Sequence, residues 1–572
     1  MLCVRSTFAS SAVGLGRGTP QPAGVAWSAR TPSRARRVAR RVGPRAAPWA
    51  AALAGVAAIA AFLVIAVSRL TYPFPLEWLE SNSLIEVHRI LTYRQLYPAP
   101  TIGYVPDGYP PLYFVVSAAL AKVLGVSYVP LRLVSLISSL ACFALLAQLI
   151  RRETASACAG IAAAGLLAAT YFAAGIWFDV GRVDSLFLAF SVAALYAARR
   201  MRRARGAIGT GLLLAAAFLT KQTGLAEGVA VLVVLAIGPR RRLALQAGLT
   251  YGAVLAISTA VLGLASHGWY LYYVFEQMSE HKPYYSHFGW FWTGLLLPTL
   301  GIACGAAVLG ARRADRVLLA GCAALFAGSA ATLVHSGGSR NDMLPAYLAV
   351  ALLAGLGMGR QPGERTGSRP WRKRAEGLDG PARPILRWAA LAASVLLVVQ
   401  TVLLLSGFHP GRAVPPSSDR AVGQRLVAGL RELGGTTADF SDPGLDLTAG
   451  LPLVAHQGAA DDVLRAAGGA GFASYARSVT RTVTGRRFSA FITDYREGPR
   501  GFPPDLARYY RRCPQRLLSG PPHAVFESVA GVLARPAFVW LPVGRGSCAL
   551  TVRTLDGAPG RSVSGLATAP AG

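Results

Sequence analysis

Hydrophobic positions in this chain come in long unbroken blocks, with little of the short alternation that marks a soluble fold. Twelve apolar segments can be drawn, at 48–68, 109–125, 130–150, 156–178, 183–198, 206–220, 222–238, 243–265, 290–310, 315–334, 342–358 and 385–406. A helix needs about 20 apolar residues to cross a bilayer. The pattern therefore predicts a mainly α, polytopic membrane bundle of 11–12 apolar segments. One segment is suspect. The stretch 109–125 is short and starts at Pro110-Pro111. If it crosses, the acidic loop before it and the loop around Asp179 fall on opposite faces, although both should be external.

After residue 406 the blocks shorten, and Gly, Pro, Asp and Arg rise. Residues 418–433 have helical spacing with an Asp near the start. Residues 437–440, 452–455 and 488–493 read as short strands. A small extracytoplasmic α/β domain is expected over 407–550, with a flexible tail at 551–572. At the other end, residues 1–46 hold nine Arg, no Lys and no acid, and read as a disordered Arg-rich cytoplasmic tail. Arg36-Arg37 and Arg40-Arg41 resemble an export signal, but the run after them is long for one, so an uncleaved first helix is expected. The transmembrane domain is then 47–406, with an external acidic loop at 70–108 and a cytoplasmic linker at 359–384.

Composition and charge sharpen this picture. A hydrophobic fraction of 53% and a mean hydropathy of +0.42 exclude an ordinary soluble chain. The formal net charge is +31. Its Arg clusters, at 199–205, 240–242, 312–316 and 360–374, lie between apolar segments and mark the cytoplasmic side. Split in this way they form no single basic face, so no nucleic-acid partner is expected. Of seven cysteines, Cys142, Cys158, Cys304 and Cys322 lie inside apolar segments as small core residues. Cys513 and Cys548 share the C-terminal region, and spacing alone leaves their pairing open.

The candidate chemistry lies in the loops. Residues 72–113 hold Glu77, Glu80, Glu86 and Asp107, in a chain with only 27 acidic residues. Glu77 and Glu80 share a face if that stretch is helical, and a carboxylate there can serve as general base toward a hydroxyl. Glu86 is read as structural, paired with Arg89. Asp179, Arg182 and Asp184 follow. Arg182 offers a bidentate fork for a phosphate, and either Asp can orient it or a substrate. Lys221 and Gln222 interrupt an apolar hairpin; Lys221 faces a phosphate or snorkels to the interface. The aromatic loop 266–289 carries His281 and Lys282, a potential contact for an anionic head, with no HExxH zinc spacing. Residues 335–342 form a Gly-rich turn with Arg340, suited to an anion or merely flexible. No Walker A motif and no GxSxG is present.

In order and spacing these stretches resemble the bacterial membrane glycosyltransferases of the GT-C superfamily, nearest the family 39 group with a protein-mannosyltransferase-like domain. The carriers are the early acidic loop, RILTYRQLYPAP, YPPLYFVVSAALAKVLG, PLRLVSLIS, GRVDSLFLAF, FLTKQTGL and GGSRNDMLPAYLAVALLAGLG. The resemblance runs from about 48 to 358. It implies a polyprenyl-phosphate sugar donor, a glycan, lipid or protein acceptor, and transfer at the outer face of a plasma (inner) membrane. It also implies a first-loop carboxylate as base. The family's adjacent Asp-Glu pair is replaced here by separated acids, and Glu80 is placed ahead of Glu77 because SLIEVHRIL follows it.

The expected site is thus Glu80 or Glu77 as base. Arg182, Lys221, Lys282 and Arg340 would hold the donor phosphate, and Asp179, Asp184, Gln222 and His281 would contact substrate. A divalent cation can assist such a transfer, although no ligand cluster argues for one. A polysaccharide polymerase or ligase shares the helices, arginines and lipid-linked donor. A transporter or flippase would show internal repeats; none is seen, and the polar residues gather on one side.

Overall fold

The computed structural model describes residues 34–359, 382–466, 468–494, 501–518 and 526–556. The first 33 residues of the expected tail, the Arg cluster at 360–374 and residues 557–572 lie outside the described residues. The chain up to Arg45 forms one unit and Ala46–Gly572 another. The second unit carries the bundle, the C-terminal region and the site.

Among the described residues, seven helices are long and apolar enough to cross a membrane. Eleven helices alternate in direction between two ends of the bundle. They are α1 (Ala46–Arg69), α4 (Tyr128–Thr154), α5 (Ala157–Ala169), α6 (Asp184–Arg200), α7 (Ala204–Thr220), α8 (Gly224–Ile237), α9 (Arg241–Ala265), α10 (Ser286–Ala311), α11 (Arg316–Val334), α12 (Leu344–Met358) and α13 (Ala382–Ser406). Side-chain bonds tie each end together. At one end Arg199 pairs with Glu153 and Asp315, Arg240 donates to the Met201 carbonyl, and Arg313 donates to the carbonyls of Gly357 and Gly359. At the other, Arg69 pairs with Asp179, Lys221 with Asp184 and Asp342, and a ring nitrogen of His335 bonds the Met278 carbonyl.

Local chemistry sets the helix starts. Ser156 caps α5 by accepting from the Ala159 N–H, and Asp315 caps α11 by accepting from the Val317 N–H. Small residues let backbones touch. A Cβ on Gly165 would lie 2.0 Å from the Gly55 Cα, so α1 and α5 pack at a distance only glycine permits. The span containing α12 is 94% buried and forms the bundle's axis.

Two further helices, α2 (Glu80–Leu91) and α3 (Leu112–Leu124), do not run between the ends. The guanidinium of Arg132, at the start of α4, donates to the Tyr72 and Phe74 carbonyls, just past the end of α1. Everything from Arg69 to Arg132 therefore begins and finishes at the same end. The segment 109–125 is not a crossing. Two crossings, α4 and α5, separate the Glu77 loop from Asp179, which places both on one side.

The C-terminal region contains α14 (Ser417–Leu433), α15 (Pro443–Ala449), α16 (Gln457–Arg465), α17 (Ala470–Thr484) and α18 (Cys548–Asp556) around one four-stranded sheet. Its strands are β1 (Thr437–Asp439), β2 (Ala490–Asp494), β3 (Tyr510–Arg516) and β4 (Pro536–Pro542), in the order β1-β2-β4-β3. The β1/β2 pair is parallel, and β4 pairs antiparallel with β2 and β3. The expected strand at 452–455 is irregular backbone; Pro452 interrupts it, and the Ala455 N–H instead donates to Ile102 O of the first loop. Helix α18 continues to Asp556, past the expected boundary at 550. Cys513 and Cys548 form a disulfide between β3 and α18. Tyr97, Ile102 and Val105 of the first loop share one core with Val454, Val463, Tyr475 and Val479.

Candidate active site

A cavity of about 1410 Å³ lies where the first loop, the inter-helix turns of the same end and the C-terminal region meet. Glu77 lines it from a turn just before α2, not from the helix itself. The expected shared helical face with Glu80 therefore does not form. The Glu77 carboxylate accepts from the Leu79 N–H at 3.0 Å and faces Arg182 Nε at 3.7 Å. Burial pushes its carboxyl up to about 8, against the pull of Arg182.

Arg182 also donates to Asp107 at 2.6 Å, and Asp107 is steadied by the Asn82 amide at 2.8 Å. Asp107 in turn donates its N–H to Glu86, so Glu86 orients this loop, while Arg89 bonds the Gln95 carbonyl. Lys221 Nζ meets Asp184 at 2.8 Å and Asp342 at 3.3 Å. Asp342 closes a capping box with Ser339 that sets the turn carrying Arg340. Gln222 donates to the Gly108 carbonyl at 2.8 Å. Tyr109 lies between the Arg182 and Lys221 cations, at 5.5 and 6.0 Å from its ring centre. Glu77, Asp107, Tyr109, Arg182, Lys221, Gln222 and Arg340 all face the cavity.

Other expected site residues lie elsewhere. Glu80 is buried outside the cavity lining, with Arg132 Nε and Nη2 donating to its two oxygens at 2.8 Å. Burial alone would raise its carboxyl. The Arg132 guanidinium and the N–H groups of Leu76 and Gly181 outweigh that and hold it below the usual range. Asp179 bolts the loop to α1 through Arg69 and accepts from the Tyr171 hydroxyl. Asp184 stands behind Lys221 and accepts from the Trp177 indole. His281 bonds the Asp462 carbonyl, one layer back from the cavity, and Lys282 is exposed away from it.

Sequence reasoning left out Asp107 as a site group, along with Trp78, Tyr109, Arg412 and the Asp462–Arg465 pair, all of which line the cavity. The YVPDGYPP stretch signalled the first, since an acid between two aromatics before a Pro pair is unusual loop chemistry. Nothing in the sequence ties the C-terminal residues to this cavity. Among the described residues no three His, Cys, Asp or Glu side chains converge as a metal site.

Residues 108–265 match the family model described as dolichyl-phosphate-mannose-protein mannosyltransferase. No curated protein sequence matches the chain. Among solved structures, the chain is similar to ArnT from Cupriavidus metallidurans bound to undecaprenyl phosphate, at 15% identity and a TM-score of 0.50, covering 85% of this chain and 97% of that one. The apo ArnT structure gives 14% identity and a TM-score of 0.52 over the same shares. At these identities the likeness concerns the fold. The chain thus shares the fold of these ArnT structures, and its residues 108–265 match the mannosyltransferase family model.

Proposed function

We propose that this protein transfers a sugar from a polyprenyl-phosphate donor to a hydroxyl acceptor at the outer face of a plasma membrane. The observation that carries this reading is the cavity itself, where the buried carboxylate Glu77 faces a wall holding Arg182, Lys221 and Arg340. Glu77 takes the acceptor's proton as the hydroxyl oxygen forms a bond to C1 of the sugar. The C1–oxygen bond to phosphate breaks, and polyprenyl phosphate leaves. Direct displacement inverts the anomeric centre. Charge grows on the departing phosphate, and the fixed cations stabilise it. Arg182 and Lys221 already hold carboxylates. Arg340 meets no carboxylate among the described residues, which makes it the strongest phosphate group of the three.

The donor's tail has a fitting place. An apolar groove of about 830 Å³ is lined by Phe218, Leu225, Leu255, Leu264 and Phe275. Phe218 is one turn before Lys221 in α7, and Phe275 one turn before cavity-lining Met278, so the groove leads toward the cavity. The site's side of the membrane is supported by two features. Among the described residues, the arginine clusters at 199–205, 240–242 and 312–316 gather at the far end of the bundle, as cytoplasmic loops do. The disulfide lies in the C-terminal domain at the site end, and disulfides persist in oxidising compartments.

The test uses purified protein, labelled polyprenyl-phosphate sugars and a panel of glycan, lipid and protein acceptors. Label should move from donor to one acceptor class. Glu77→Gln is expected to lower kcat by about a hundred- to ten-thousand-fold. Normal turnover by that variant refutes the assignment of the base.

A further inference from the structure

We infer that the C-terminal domain is a working part of the catalytic site, with Gly531 as the positioning residue that sets where Glu77 stands. The inference rests on the reading of Glu77 as base. The segment 526–534 leaves the C-terminal sheet just before β4 and returns to the first loop. There the N–H groups of Val529 and Ala530 both donate to the Leu76 carbonyl at 2.9 Å, and Ala530 bridges Glu77 in parallel. The Gly531 N–H reaches the Gly175 carbonyl at 3.3 Å. The loop is closed on itself, because the Ser528 hydroxyl donates to the Val532 carbonyl at 2.7 Å and accepts from the Ala534 N–H at 3.0 Å.

Gly531 is the point of contact. Its φ is +67°, a conformation that side chains rarely adopt. A Cβ there would stand 2.9 Å from Glu77 Oε1 and 2.4 Å from the Trp177 ring. The Trp177 indole donates to Asp184, which holds Lys221. One Cα of the C-terminal domain therefore abuts the base directly and touches the ring that leads to a cavity cation. Ser528, Val529, Gly531 and Val532 also line the cavity, so the loop forms part of the wall against which an acceptor meets Glu77. This contact fixes the reach of the carboxylate from outside the membrane domain, and misplacing a reacting group by about 1 Å can cost about a hundredfold in rate.

The test measures kcat, donor KM and the pH–rate profile of Gly531→Ala in the full chain, with the donor and acceptor that the wild type turns over fastest. Expected are a kcat lower by about a hundredfold, an unchanged donor KM, and a displaced midpoint of the pH–rate limb, which a purely structural loop would leave in place. Adding Glu77→Asp, which withdraws the carboxylate by one methylene, should make the double loss smaller than the product of the two single losses. If Gly531→Ala is not recovered folded, Ser528→Ala unties the same loop without adding a clash and should lower kcat and displace the midpoint alike. Wild-type kcat and midpoint in the folded variant, or a multiplicative double loss, overturn the inference. Should Glu77→Gln itself turn over normally, the base assignment falls first; an inert Glu77→Gln beside a normal Gly531→Ala sinks the inference alone.

Discussion

Two glutamates three residues apart meet opposite fates here, and what surrounds each decides which is available for chemistry. Glu80 is spent on structure: two bonds from Arg132 and two backbone N–H groups occupy its oxygens. Glu77 faces the cavity with Arg182 at a looser 3.7 Å. A base must be ionised to accept a proton, and burial holds the Glu77 carboxyl up at about 8. Transfer should therefore rise with pH through about 8 and then level off, and the residual rate of Glu77→Gln should lack that limb. A pH–rate series on both proteins checks this. Glu80→Gln should fail differently. It leaves the buried Arg132 without its counter-charge, at a cost of about 3 to 5 kcal/mol. The expected readout is a depressed melting midpoint in detergent, partly restored by adding Arg132→Met, while Glu77→Gln melts near the wild type.

At the scale of elements, most of the bundle was legible because lipid exposure writes itself as long apolar blocks. Eleven of the twelve drawn segments correspond to helices that run end to end. The exception is α3, whose apolar residues are spent against α2 and the start of α4 at one end of the bundle. Composition cannot separate such a helix from a short span; only the Arg132 contacts with Tyr72 and Phe74 do so. Arg132 itself was hidden inside an apolar run, although an arginine there is costly without a partner and was the available signal. Strands β3 and β4 escaped because YRRCPQR lacks clean alternation and PAFVWLP opens and closes on proline. The same geometry predicts a labelling pattern. In a background with its unpaired cysteines replaced, Val126→Cys should react from the Glu77 side of the membrane and Arg152→Cys only from the other. Labelling of Val126→Cys only from the side opposite Glu77 would restore α3 as a crossing.

At the largest scale, the unit from Ala46 onward is a membrane bundle whose first loop and C-terminal domain share a core, and that union was not legible in the sequence. Residues more than 300 positions apart meet there with no local pattern to announce it, as the Ser81 hydroxyl does when it donates to Asp442. Asp442 also makes the union sensitive to pH. Burial first, and then the neighbouring Asp439, push its carboxyl up to about 7, and Asp439 and Asp446 are shifted the same way. An unfolded aspartate titrates near about 4, so between about 4 and 7 the docked form binds more protons than the unfolded one. Stability from this cluster is then fully present below the unfolded value and is lost as pH rises through about 7. Glu80 is held below the usual range and stays ionised throughout that window, so it does not mask the trend. Limited proteolysis of the C-terminal domain should accordingly be slower at pH 5 than at pH 8. Asp442→Asn, neutral at both, should flatten the difference and protect the domain at pH 8. Equal cleavage of the wild type at the two pH values, or an undiminished slope in Asp442→Asn, would show that the domain is held by its apolar core with the Asp442 cluster titrating as a bystander.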